Sequence, residues 1–326
     1  MIDQFGREIN YLRVSITDRC NLRCRYCMPE EGVDKLEHRT ILSLEEMARL
    51  VGVSVKAGIK KIRLTGGEPL VRRNVIQLVR YIGSLPGIDD LALTTNGVLY
   101  ASMAEDLRDA GLNRLNFSLD SLNPERFYYM TRGGDFNTVK TSIFKALDLG
   151  MDPVKINTVV IRGFNDDEVL DFARLAVDYP LHVRFIEFMP IGDLHYWKRE
   201  RMINSSEIKG MIESSYQLEP VKRVPGNGPA KYYKIIDGQG SVGFITPMSN
   251  HFCSECNRIR LTADGGLRAC LHDRHEIDLK TPLRSGASDE ELMALFEECV
   301  QNKPSRHQMN AGWGQDNERK MYQIGG

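Results

Sequence analysis

The chain has 326 residues, 42% of them hydrophobic and 27% charged, with 43 Lys and Arg set against 44 Asp and Glu. That length suits one large α/β domain or a barrel-sized domain with an appendage. The balanced charge gives no global basic field for nucleic acid or a membrane surface, and no window approaches the roughly 20 apolar residues of a membrane span. The N-terminal stretch MIDQFGREINYLRVSI has no secretory or transit pattern, so the expected location is the cytoplasm, where cysteines stay reduced.

In chain order, short β-branched apolar runs alternate with longer amphipathic stretches, a βα rhythm. Strands are predicted over 11–16, 61–65, 91–95, 114–119, 154–161 and 182–188, with helices over 43–57, 74–84, 102–109, 136–149 and 166–177. The first helix opens on SLEE, a capping-box pattern starting at Ser43, and Gly111 and Gly150 fall just past two helix ends. Sequential parallel strands with helical crossovers fit a βα barrel or a doubly wound sheet. Each unusual polar segment follows a strand: three cysteines after the first, GGEP after the second, NG after the third, DS after the fourth, MP after the sixth. One rim collects them, so the expected fold is α/β, an incomplete (βα)6 TIM-like barrel over 1–190. Beyond Pro190 the rhythm fails, and the Gly- and Pro-rich stretch 224–250 marks a C-terminal α+β region over 191–326.

Seven cysteines grouped as three, three and one fit metal ligation better than a disulfide framework. Cys20, Cys24 and Cys27 form a CxxxCxxC run with Tyr26 before the last thiol. A closed zinc site wants four ligands, and His38, eleven residues on in a charged run, is the candidate fourth. A four-iron four-sulfur cluster on three thiolates instead leaves one iron open to a small molecule. Cys253, Cys256 and Cys270 make a second set of three, which spacing alone reads equally as zinc, completed by His251 or His272, or as iron–sulfur.

Arg13, Lys61, Arg63, Lys155 and Arg184 interrupt apolar strand patterns, and alternation puts Lys61 and Arg63 on one face. Buried unpaired cations are costly, so the set calls for anionic partners. Carboxylates such as Glu68, Asp120 or Glu187 are one source, and a triphosphate inside the barrel is another.

CxxxCxxC followed by TGGEP at 65–69 resembles the signature of the radical S-adenosylmethionine (SAM) enzymes. The resemblance implies that SAM chelates the open iron, that an electron from a flavodoxin- or ferredoxin-type donor breaks its sulfonium bond, and that a 5′-deoxyadenosyl radical results. The second triplet, enclosing NRIR, resembles one branch of that superfamily, the molybdenum cofactor biosynthesis A family, and the similarity runs from FGR at 5–7 to Gly325 and Gly326. For this branch the resemblance implies two [4Fe–4S] clusters, on Cys20, Cys24 and Cys27 and on Cys253, Cys256 and Cys270. It implies SAM contacts at Tyr26, Gly66, Gly67, Glu68, Ser118, Asn157 and Met189. GTP contacts are implied at Arg13, Lys61, Arg63, Thr94, Lys155, Arg184, Arg258, Ile259 and Arg260, with catalytic roles for Arg13, Gly325 and Gly326. The implied reaction takes hydrogen from ribose carbon 3′ of GTP and joins that carbon to guanine carbon 8, giving 3′,8-cyclo-7,8-dihydro-GTP. That is the first step of molybdenum cofactor biosynthesis; a cyclic pyranopterin monophosphate synthase then uses the product, and the family forms homodimers.

Two other readings compete. A peptide-modifying radical SAM enzyme with the second cluster as relay has no need of so many inward cations, while an iron–sulfur electron carrier or zinc-binding RNA module has no need of TGGEP. Among the remaining residues, Cys299 reads as a core thiol, Trp197 and Trp313 as packing or loop anchors, and His272, His275 and His307 as a solvated face.

Overall fold

The computed structural model describes residues 1–33, 39–191, 194–221, 224, 226, 228–307 and 319–325, so His38, Trp313 and Gly326 lie outside the described residues. Six strands lie side by side and parallel: β1 (Tyr11–Ser15), β2 (Lys61–Thr65), β3 (Asp90–Thr95), β4 (Arg114–Ser118), β5 (Val154–Val160) and β6 (Leu181–Glu187). The crossovers carry α1 (Leu44–Lys56), α2 (Val75–Gly83), α3 (Tyr100–Asp109), α4 (Pro124–Thr131), α5 (Phe136–Asp148) and α6 (Val169–Asp178). After α7 (Ser205–Glu213) come β7 (Leu218–Val221), β8 (Lys231–Ile235) and β9 (Ser241–Ile245), and β9 runs parallel to β6. On the opposite edge, β10 (Arg258–Leu261) runs parallel to β1 and is followed outward by β11 (Gly266–Arg268) and β12 (Ile277–Asp278). Among the described residues the result is one open sheet of twelve strands, with both edges built by the C-terminal part of the chain. Three further helices follow: α8 (Lys280–Arg284), α9 (Asp289–Gln301) and α10 (Met321–Ile324).

The six predicted strands are all present. Both halves of the capping box at Ser43 form, and Gly111 and Gly150 close their helices at positive φ, +96° and +70°. α4 was not expected, although Asn123 caps it by accepting from the Glu125 and Arg126 amides and Pro124 occupies the first turn.

Alternation divides the strands cleanly. Leu12, Val14, Ile62, Leu64, Leu91, Leu93, Leu115, Phe117, Ile156, Val183 and Phe185 face the helices in one continuous core, each contributing about 1.5–3 kcal/mol by burial. The other face of the same strands is polar, and it forms the inside of the partial barrel. No helix among the described residues is long and apolar enough to cross a membrane.

Candidate active site

Register aligns the inward side chains in rows. Arg260, Arg13, Arg63, Ala92 and Arg114 stand in one row across β10, β1, β2, β3 and β4. Thr94, Asn116, Lys155 and His182 make a second across β3 to β6, and Ser118, Asn157 and Arg184 a third. Asp90 supplies one carboxylate to this face, bound by Arg114 through two hydrogen bonds. Arg184 donates to Asn116 Oδ1 (2.6 Å), whose amide donates to the Leu93 carbonyl.

The carboxylates considered from sequence are occupied elsewhere. Glu68 accepts from Leu70, Thr95 and Asn96, Asp120 from Tyr26 and Val159, and Glu187 from Ser205, Met248 and Ser249. Nε of Arg13, Arg63 and Arg184, Oγ1 of Thr94 and Oδ1 of Asn157 are buried without a partner. Each such orphan costs about 1–3 kcal/mol unless a ligand satisfies it.

Crowded, desolvated cations lose basicity. Burial, then the fields of Arg184, Arg114 and Arg63, bring Lys155 down to about 5, while burial brings Arg63 to about 10 and Arg260 to about 9. Burial and the neighbouring Arg260, Arg63 and Arg258 hold Arg13 well below its ordinary value. Arg63 and Lys155 also lie over the rings of Tyr11 and Tyr232, each 5.4 Å from the centroid. Lys61 is half-buried at the start of β2. The Ile259 side chain lies fully buried in the outer apolar core, which leaves its main chain to meet a substrate. Arg114, Asn116 and Tyr232 belong to this face and were missed, although alternation in RLNFS already puts Arg114 and Asn116 with Ser118.

The first cysteine loop runs on from β1 and is seated on α4. The amides of Arg23 and Arg25 donate to the Thr131 and Met130 carbonyls at the helix end, and Arg132 donates to the carbonyls of Arg23 and Met28. Cys24 and Cys27 close a turn through Cys27 N to Cys24 O (2.9 Å), and the three thiols feel one another's charge. Burial pushes Cys20 up to about 11 and Cys27 to about 12, and it also holds Cys24 well above the ordinary thiol range. Such thiols stay protonated until a metal centre stabilises their thiolates.

Gly66 and Gly67 meet the backbone of this loop. A Cβ on Gly66 would overlap the Thr17 carbonyl and one on Gly67 the Arg19 carbonyl, and the Gly67 and Glu68 amides donate to those two carbonyls (2.7 and 2.8 Å). Their small size therefore fits TGGEP against the cysteine loop. Glu68 is pushed up to about 7 by burial. Tyr26 donates to Asp120 (2.7 Å), which burial raises to about 6. Ser118 and Asn157 are paired in register, and Met189 follows the end of β6.

The second triplet lies at the other end of the barrel. Cys253 and Cys256 precede β10, and Cys270 follows β11, which runs antiparallel back to the same end. Since β1 and β10 are parallel and the first triplet follows β1, one strand length of roughly 15 Å separates the sets. The arginine row lies between them. Burial raises Cys253, whereas at Cys256 burial is outweighed by Arg258 and Lys303, which bring it to about 6. Arg258 also donates to Cys256 Sγ (3.7 Å). Among the described residues no three His, Cys, Asp or Glu side chains gather as a single-ion site. His272 and His307 are half-buried rather than solvated, and His307 contacts the rings of both His251 and His272 (4.3 and 5.0 Å between centroids). Cys299 is a buried core residue of α9, and Trp197 donates to the Phe188 carbonyl.

The C-terminal residues also reach this interior. The Gly325 carbonyl accepts from Arg260, and a Cβ on Gly325 would lie 2.7 Å from Thr65 Cγ2. The backbone of Tyr322 bonds the Cys27 thiol.

Two family models match the chain. Residues 14–176 match the radical SAM superfamily and residues 181–309 match Molybdenum Cofactor Synthesis C. A GTP 3′,8-cyclase of Syntrophomonas wolfei is 66% identical, and those of Desulforamulus reducens and Moorella thermoacetica are each 55% identical, all over the full length of both chains. Among solved structures, SuiB of Streptococcus suis superimposes with a TM-score of 0.60 at 13% identity, covering 86% of this chain and 66% of that one, which supports the fold alone. The chain belongs to the GTP 3′,8-cyclase family of the radical SAM superfamily.

Proposed function

We propose that this chain converts GTP into 3′,8-cyclo-7,8-dihydroguanosine 5′-triphosphate, the first step of molybdenum cofactor biosynthesis. The observation that carries this reading is the row of inward cations, with buried donors left unpartnered, between two separate thiol triplets. When bound, a [4Fe–4S] cluster on Cys20, Cys24 and Cys27 together with SAM supplies the 5′-deoxyadenosyl radical that takes the 3′ hydrogen.

The chain's own residues bind and orient. In this reading residues 1–190 hold SAM through Tyr26, Gly66, Gly67, Glu68, Ser118, Asn157 and Met189, and the Asn157 orphan oxygen accepts from the ligand. Arg13, Lys61, Arg63, Thr94, Lys155 and Arg184 take the triphosphate and ribose, since forked guanidiniums suit phosphate oxygens. Residues 191–326 supply Arg258, the Ile259 main chain, Arg260 and the Gly325–Gly326 tail, and their Cys253, Cys256 and Cys270 would hold a second [4Fe–4S] cluster that binds the base. Holding ribose and base in reacting geometry is the main contribution of the fold. A flavodoxin- or ferredoxin-type donor, a cyclic pyranopterin monophosphate synthase as consumer of the product, and a homodimer complete the proposal.

The test uses anaerobically reconstituted protein, reductant, SAM and GTP deuterated at ribose carbon 3′. The expected result is deuterium in 5′-deoxyadenosine together with a cyclised triphosphate. SAM cleavage with GTP returned unchanged overturns the reading.

A further inference from the structure

Two buried cations support the second cysteine loop, and they are balanced differently. Arg7 is paired with Asp3 (2.6 Å) and donates to the carbonyls of Cys253 and Pro304, both at 2.8 Å. Lys303, 2% exposed, follows the end of α9, and its Nζ donates to the carbonyls of Arg258 (2.7 Å) and Ala269 (2.6 Å). Among the described residues no carboxylate pairs with it.

Those two carbonyls flank the thiols. Arg258 lies two residues after Cys256, and Ala269 immediately precedes Cys270. One ammonium thus ties together the two segments that bring these cysteines to one place, and it lies within electrostatic range of Cys253 and Cys256. The carbonyls and the negative end of the α9 dipole offer partial charge only, whereas a buried ammonium calls for a full one.

We propose that Lys303 is the built-in counter-charge of the second thiol triplet. It is a positioning residue, because its Nζ meets main-chain carbonyls and acts through the triplet. It holds the Cys256 and Cys270 segments together and favours the state in which the triplet's metal centre carries one more electron. The proposal rests on the iron–sulfur reading of Cys253, Cys256 and Cys270 given above.

The test uses the full chain with Cys20, Cys24 and Cys27 changed to Ala, so that the second triplet alone is loaded. Lys303, Lys303→Met and Lys303→Arg forms are reconstituted and titrated with dithionite while the paramagnetic signal is followed. The Met form is expected to be harder to reduce by about tenfold in the equilibrium constant, ~59 mV for one electron, with the Arg form near the parent. A Met form that melts like the parent yet loads no iron, with loading restored by Arg, supports the same role. Equal midpoints in the Lys and Met forms overturn it, as does loss of iron in both variants. A parent that takes up zinc or no iron removes the cluster reading first, and this proposal falls with it.

Discussion

Arg13 and Arg63 stand opposite each other in the β1–β2 ladder, with no carboxylate paired to either among the described residues. Two desolvated like charges weaken the ligand-free fold, and a triphosphate reverses that penalty. Arg63→Met should therefore raise the unfolding free energy of the ligand-free protein by about 1–2 kcal/mol. Its affinity for GTP should fall tenfold or more, since a hydrogen bond to a charged group is worth about 1.5–3 kcal/mol. Thermal melts with and without GTP check both signs; a Met variant that melts earlier without ligand contradicts the argument.

Lys155 titrates near 5 in the folded chain, against 10.5 for an exposed amine. Between those values the unfolded chain binds the extra proton, so this residue's contribution to stability rises with pH, by up to about 1.4 kcal/mol per unit. Relative to Lys155→Met, the ligand-free wild type should gain stability from pH 6 to pH 9. Triphosphate binding recharges the amine, so calorimetry at pH 8 in buffers of different ionisation enthalpy should register uptake of about one proton, absent in the Met variant. Proton-neutral binding in the wild type argues against an anion at Lys155.

Gly67 presses on the Arg19 carbonyl, so Gly67→Ala forces the cysteine loop away from TGGEP. Reconstituted wild type should hold about eight irons, and the Ala variant about four, lost from the first triplet. Removal of either triplet should likewise halve the count. A wild type with about four irons and one zinc denies the second cluster.

Arg260 donates to the carbonyl of Gly325, whose backbone φ of +81° disfavours a residue with a side chain. Deleting Gly325 and Gly326 should leave both clusters, GTP binding and uncoupled SAM cleavage largely intact while abolishing the cyclised product. Chromatography of the nucleotide products decides it, and a normal yield from the shortened chain refutes a role for the tail.

The first six strands were legible because each carries its own signal: a β-branched run followed by a polar loop. α4 carried one too, Asn123 before Pro124, but its apolar positions are few and the sequence PERFYYMT looks like loop. The inward cations were legible as violations of an apolar pattern. Arg114 violates it equally, yet the pattern says nothing of which cation Asp90 neutralises. Ile259 came from the resemblance alone, and strand alternation turns its side chain to the face opposite Arg258 and Arg260. The edge positions of β9 and β10 rest on pairing across long stretches of chain, and no local pattern encodes that.

The pairing of β10 with β1 sets when the molecule is finished during synthesis. Tyr11 waits for Arg258, its ladder partner, to be made before its edge is covered. Until then a nascent chain displays two bare parallel edges, on β1 and on β6, each a template for another chain. Cutting the gene near residue 190 would freeze that unfinished state, so the barrel half expressed alone should collect as aggregates, and co-expression with the C-terminal piece should return it to solution.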